Sequence, residues 1–153
     1  MKSKSKLVLE PGARPIATDT ITRGVCRYLR SRGYTVLREF QLKSKRRADV
    51  AGLDVQGQFI IVEIKSSVDD FRADQKWPDY IKHCDAFYFA VDQDFPVGVL
   101  PQDYGLIVAD TFGAEIVRPA ITGQMNGNRR RTQILNFARA GAERLEQVLD
   151  TRY

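Results

Sequence analysis

Ala48-Asp49-Val50-Ala51-Gly52-Leu53 is followed by Asp54-Val55-Gln56-Gly57 and then by Gln58-Phe59-Ile60-Ile61-Val62-Glu63-Ile64-Lys65, and this stretch decides the fold. Residues 49–53 and 58–65 read as two strands joined by a hairpin turn over residues 54–57. If residues 55–57 are the loop, Asp54 faces Gln58, and counting back along both strands sets Asp49 opposite Glu63. Residues 59–62 are apolar at every position, the mark of a strand covered on both faces. The chain therefore buries a central strand and ends it on two opposed carboxylates.

That opposition is unfavourable by itself. Directly facing side chains have Cβ atoms ~4.5–5.5 Å apart, and at an effective dielectric near 20 unit charges at ~5 Å repel by about 3 kcal/mol. Lys65, two residues beyond Glu63 and so on the same face, offsets part of this. A hard divalent cation held by both carboxylates supplies the rest. Mg²⁺ takes oxygen ligands at ~2.0–2.1 Å and keeps several waters, so Asp49, Glu63 and the carbonyl of Ile64 form a suitable ligand set. Such an ion polarises a phosphate and lowers the pKa of a bound water. Lys65 then positions that water or neutralises charge developing on phosphorus. The plain alternative is a strand that merely ends in a surface Glu and Lys; the register with Asp49 behind an all-apolar stretch favours the chemical reading.

Working outward, Ile21, Val25, Tyr28 and Leu29 recur at helical spacing, with Arg23, Arg27 and Arg30 on the opposite face. Thr18 or Asp19 is placed to cap this helix and Gly33 to stop it. Residues 34–42 read as a strand and 43–47 as a basic turn. Ser67 caps a helix beginning near Val68, with Asp69 and Asp70 at its positive end. Pro78 ends or restarts it for a short helical turn through Lys82. Residues 86–91 and 106–109 are apolar strands, and 114–117 can pair back across the turn at 111–113. A last helix is expected from Arg129, with Ile134, Ala138, Leu145 and Leu149 along one face. The order α, β, β, β, α, β, β, α describes an α/β fold, a mixed central sheet flanked by helices.

With 153 residues, 43% hydrophobic and 28% charged, the chain is expected to form one domain over residues 18–153, preceded by a flexible basic arm over 1–17 that holds Lys2, Lys4 and Lys6. There is no signal-peptide core and no run of ~18 apolar residues, so a cytoplasmic protein without membrane contact is expected. Cys26 and Cys84 show no metal-ligand spacing and are expected as free, buried thiols without zinc. Residues 1–48 carry 13 basic and 3 acidic side chains, 49–110 carry 4 and 12, and 111–153 carry 7 and 4, for a net +5. Basic flanks around an acidic middle suit a polyanion partner and a divalent ion near the centre. Charge runs also occur simply as solvated faces.

Ala48-Asp49 and then Ile61-Val62-Glu63-Ile64-Lys65 on the next strand, after an N-terminal helix, resemble the PD-(D/E)XK nuclease superfamily. The resemblance spans about residues 18–108. Arg46-Arg47-Ala48-Asp49, Glu63-Ile64-Lys65-Ser66-Ser67, Asp70-Phe71-Arg72-Ala73-Asp74, Lys76-Trp77-Pro78-Asp79-Tyr80 and His83-Cys84-Asp85 more narrowly resemble the bacterial MmcB-like DNA-repair endonucleases. The resemblance implies a restriction-endonuclease-like core, Mg²⁺- or Mn²⁺-dependent cleavage of DNA in repair, and catalytic positions at Asp49, Glu63 and Lys65. Ala48 departs from the superfamily's Pro. Asp19 is the sole candidate for the acidic residue many members carry on the first helix, and its place near the helix start also suits capping.

Lys43, Lys45, Arg46, Arg47, Gln75, Lys76, Arg129, Arg130 and Arg131 are the candidate DNA contacts. Trp77 and Tyr80 suit either stacking on an unpaired base or packing the helix on the sheet. His83, the single histidine, supports neither zinc nor a triad and is expected to be structural. Two function classes remain: a metal-dependent DNA nuclease, and a DNA-binding repair accessory protein with the fold but little cleavage. An RNA nuclease shares the same chemistry.

Overall fold

The computed structural model describes residues 16–151. In chain order these form α1 (Ile16–Ser31), β1 (Thr35–Gln41), β2 (Arg47–Leu53), β3 (Phe59–Ile64), α2 (Val68–Ala73), a 3-10 helix (Trp77–His83), β4 (Ala86–Val91), a 3-10 turn (Val97–Val99), β5 (Gly105–Ala109), β6 (Ala114–Arg118) and α3 (Gly127–Leu149). The six strands lie in one mixed sheet in the order of the sequence. β1, β2 and β3 are an antiparallel meander, β3, β4 and β5 run parallel, and β6 returns antiparallel. β6 is the strand expected at 114–117, pairing back on β5 across the turn at 111–113.

The 54–57 turn is built as read. Asp54 Oδ1 accepts from the N–H groups of Gln56 and Gln58, and Gly57 takes φ 80°. Every residue of β3 is buried. On one face of the sheet Ile21, Val25 and Leu29 of α1 pack over Val50, Ile60, Val62, Tyr88 and Ile107. Gly24 lets α1 approach the β5–β6 turn: a Cβ there would lie 1.9 Å from the Asp110 carbonyl oxygen. The other face holds the aromatic core, where Phe71, Tyr80 and Phe137 from α2, the 3-10 helix and α3 meet Phe40, Phe59, Phe87 and Phe89. Cys26 and Cys84 are buried free thiols.

Three expectations change. α1 already includes Ile16 and Ala17, so Thr18 and Asp19 sit within its first turn and do not cap it; the arm lysines Lys2, Lys4 and Lys6 lie outside the described residues. α3 starts at Gly127, before Arg129, because the Asn126 side chain accepts from the N–H groups of Asn128 and Arg129. Its docking face is also rotated. Gln133 and Phe137 are buried, whereas Ala138, Leu145 and Leu149 are exposed. Of the expected stripe only Ile134 packs against the core; Phe137, edge-on to Phe40 and Phe59, and Arg144, bonded to the carbonyls of Arg38 and Glu39, set the orientation in place of its other members. Among the described residues no helix is long and apolar enough to cross a membrane.

Candidate functional site

The β2–β3 ladder runs from Leu53↔Phe59 to Val50↔Val62. One step further in the same register stand Asp49 and Glu63, as the turn length implied. Here side chains replace main-chain ladder partners: Glu63 Oε1 accepts from the Asp49 N–H at 3.2 Å, and Asp49 Oδ2 accepts from the Ile64 N–H at 2.8 Å. Each carboxylate is thus fixed by the opposite strand. By the two-residue period both share the face of Ala51 and Ile61, where α2 and the 3-10 helix pack.

Glu63 is only 2% exposed. Burial first, and the neighbouring Asp49 charge second, push its carboxyl from an ordinary 4.5 up to about 9, against the weaker pull of the Asp49 N–H and Lys65. Without a cation the site therefore holds a proton at neutral pH. Lys65, also 2% exposed, follows β3 directly, and its Nζ lies 3.4 Å from Asp74 Oδ2. Burial pushes Asp74 upward, but the Lys76 N–H and the Lys65 cation outweigh it and hold this carboxyl below its usual range. Asp70 ties the loop down, its Oδ2 accepting from the Ser66 N–H at 3.1 Å while Ser67 caps α2.

These groups line a cavity of about 400 Å³ that also takes in Thr18, Arg47 and Tyr80. The Tyr80 hydroxyl donates to the Arg47 carbonyl at 2.9 Å. Burial, then the charges of Glu63 and Asp49, raise its pKa, so the phenol stays neutral. Asp19, exposed on α1, does not line the cavity; Thr18 does. Sequence reasoning did not pick out Asp70 and Asp74 as site residues; Asp70 lies within α2 and Asp74 is the extended residue that ends it, and each is brought to the site by its bond, to the Ser66 N–H and to Lys65 Nζ respectively.

Among the described residues no group of three or more His, Cys, Asp or Glu side chains converges on a metal position. The available set is two carboxylates plus Ile64. It fits Mg²⁺, which binds through one or two carboxylates and keeps waters, and the crowded, protonated Glu63 is the kind of ligand a cation would relieve.

The candidate DNA contacts divide. Lys43 and Lys45 are exposed on the β1–β2 turn, and Lys76 and Arg131 are exposed elsewhere. Arg46 pairs with Asp79 at 2.9 Å and Arg47 with Glu39 at 3.4 Å, both near the surface. Arg129 donates to the Lys82 carbonyl. Gln75 is turned back, donating to the Phe71 carbonyl at 2.6 Å at the end of α2. Arg130 is not a surface contact at all: it grips the buried Asp85 through two bonds and the Gly57 carbonyl through a third. An acid at the foot of β4 needed a cation, and α3 supplies it. Trp77, half-buried, stacks on Phe87 and meets Phe89 and Tyr104 edge-on, packed against the aromatic core. His83 is buried.

The SPO1766 protein of unknown function from Silicibacter pomeroyi is similar over its solved structure, with a TM-score of 0.86 and 39% identity, covering 91% of this chain and 95% of that one. A comparison with curated proteins finds none that matches. Residues 9–152 match the family described as DNA repair protein MmcB-like. With nearly its whole length in that match, the chain belongs to the MmcB-like family of DNA repair proteins.

Proposed function

We propose that this protein is a divalent-metal-dependent endonuclease of the PD-(D/E)XK type that hydrolyses phosphodiester bonds of DNA in repair. One observation carries the reading: Asp49 and Glu63 face each other where the β2–β3 ladder ends, each held by the other strand's N–H, with Lys65 buried beside them. The mixed sheet and the repair family support it.

Asp49, Glu63 and the Ile64 carbonyl would hold Mg²⁺ or Mn²⁺, which when bound supplies Lewis acidity to the phosphate and acidifies a water. To serve as such a ligand Glu63 would release its proton to solvent. The N–H groups of Asp49 and Ile64 keep both carboxylates oriented beforehand, so little reorganisation accompanies reaction. Lys65, steadied by Asp74, stabilises negative charge growing on the phosphoryl oxygens. Lys43, Lys45, Arg46, Arg47, Lys76, Arg129 and Arg131 hold the DNA backbone.

The test is a panel of labelled duplex, single-stranded, flap and junction DNAs with Mg²⁺, Mn²⁺ or chelator, run for wild type and Lys65→Met. Loss of one preorganised electrostatic contact lowers the rate by roughly a hundred- to a thousandfold. Lys65→Met is expected to bind DNA within a few fold of wild type and to lose cleavage. Equal cleavage by both proteins would overturn the assignment of Lys65. If neither cleaves any member of the panel and both bind, the protein is a DNA-binding accessory factor.

A further inference from the structure

A second cavity, of about 430 Å³, lies between the β1–β2 turn, the end of the 3-10 helix and the first turns of α3. Its volume falls within the ~300–1,000 Å³ of small-ligand sites. Its walls carry three cations, Lys43, Lys82 and Arg129, beside amides such as Asn126 and Asn136, and no carboxylate. In a chain with 19 acidic residues this is a local excess of positive charge. The start of α3, a helix of 23 residues, adds the positive end of its dipole.

His83 is a second, independent sign. It lines the same cavity, is 4% exposed, and both of its ring nitrogens are buried without a hydrogen-bond partner, the only such side-chain atoms among the described residues. Burial first, then Arg129 and Lys82, hold its pKa below the ordinary 6.5, so the ring is neutral, with one N–H and one lone pair unfilled. Buried polar groups left unpaired in a folded protein call for an explanation such as a missing ligand.

The cavity also lies near the carboxylates. A shallower hollow of about 380 Å³ shares Phe40, Gln41 and Asn136 with it and Arg47 with the carboxylate cavity. Gln41 pairs with Arg47 across β1 and β2, and Asp49 follows two residues along β2, ~7 Å away on the same face. A strand cut at Asp49 and Glu63 thus reaches the second cavity within a few nucleotides.

We infer that this cavity takes the terminal phosphate of a nucleic-acid strand, held by Lys43, Lys82 and Arg129, so that the strand end sits a short, fixed distance from the cleaved bond. The fixed distance rests on the nuclease reading; phosphate binding does not. A free nucleotide offers the same phosphate, and the experiment separates the two sources. Since His83 is the chain's single histidine, its ring C–H signals report the cavity in proton–carbon NMR of the full-length protein, with chelator present and no cleavage needed. The probes are inorganic phosphate, deoxyadenosine monophosphate, and one short single strand bearing either a 5′-phosphate, a 3′-phosphate or hydroxyls at both ends.

The expected result is a saturable His83 shift in which one phosphorylated strand binds about tenfold or more tightly than the hydroxyl strand, one lost charge-assisted contact being of that order. The Lys43→Ala/Arg129→Ala double variant removes the preference. No His83 shift with any probe, equal binding of phosphorylated and hydroxyl strands, or an unchanged preference in the double variant would each overturn the inference. Free nucleotide binding as tightly as the strand would overturn the strand-end assignment. A protein that cleaves DNA while failing these tests leaves the nuclease reading intact, and one that passes them without cleaving leaves the phosphate site intact.

Discussion

Two buried carboxylates, Asp85 before β4 and Glu63 near the end of β3, are 5% and 2% exposed yet are treated oppositely by the fold. Burial pushes Asp85 upward, but Arg130 and the N–H groups of Phe59 and Met125 outweigh it and hold the carboxyl below its ordinary 3.8. Glu63 has a single main-chain donor and only a weaker pull from Lys65 against its burial and the Asp49 charge, and rises. The chain compensates the first carboxylate with a full ion pair and the second only in part. A buried group left only partly compensated by its own protein marks a functional position more sharply than burial or charge alone.

The largest expected effect breaks the satisfied pair. Arg130→Met strands Asp85 without its cation, and removing one partner of a buried ion pair costs about 3–5 kcal/mol. Denaturant unfolding should show that loss for Arg130→Met, whereas Glu63→Gln, in metal-free buffer, should unfold no more easily than wild type at pH 8. Equal destabilisation at the two positions would mean that Glu63 is as well compensated as Asp85, and the contrast would fail.

The next effect reads both carboxylates through pH. Asp85, lowered, contributes stability that is present above its ordinary 3.8 and is lost as acid protonates it. Glu63, raised, contributes stability that is present below 4.5 and is lost as pH climbs toward about 9. Metal-free protein should therefore lose stability between pH 5 and pH 9 by more than the Glu63→Gln variant does. Mg²⁺ or Mn²⁺ at about 100 times its Kd should restore ~2.7 kcal/mol, with a proton released on binding and tighter binding at higher pH. Thermal melts across pH, with and without metal, check this. A wild type whose melting temperature responds to neither pH nor metal would remove the cation from the proposal.

What could be read from sequence was whatever local rules fix. The register that opposes Asp49 and Glu63 followed from the length of the 55–57 loop and an apolar β3, and the Ser67 cap from its place just before a helix start that carries Asp69 and Asp70. The satisfied pair was not legible, because Asp85 and Arg130 are 45 residues apart and only the docking of α3 brings them together; read locally, Arg130 is one of three arginines at a helix start. The same docking hid the true buried face of α3, set by Phe137 and Arg144. It also hid the left-handed φ of 52° at Glu39, whose carbonyl Arg144 holds opposite Asp49. Asp74 was passed over because its meaning depends on where the Lys65 side chain ends.

The smallest effect sharpens the comparison within a single turn of helix. Arg130 and Arg131 are adjacent, equal in charge and equally close to the start of α3, but the first is spent on Asp85 and the second is exposed. If DNA runs along the basic surface, each cation that neutralises a phosphate adds about 0.9 to the slope of log affinity against log salt for duplex DNA. Replacing Lys43, Lys45 or Arg131 by Ala should each flatten that slope by up to about that amount while leaving the melting temperature nearly unchanged, since exposed charges contribute little to stability. Arg46 and Arg47, already paired with surface acids, should give smaller changes, because binding must first break those pairs. Arg130→Met should do the reverse, lowering the melting temperature and, under conditions where it is folded, leaving the slope as it was. Fluorescence titrations at four or more salt concentrations measure each slope, and a flat line for wild type would show that the exposed cations are solvated surface. A slope that fell for Arg130→Met as far as for Arg131→Ala would show that the Asp85 pair opens when DNA binds.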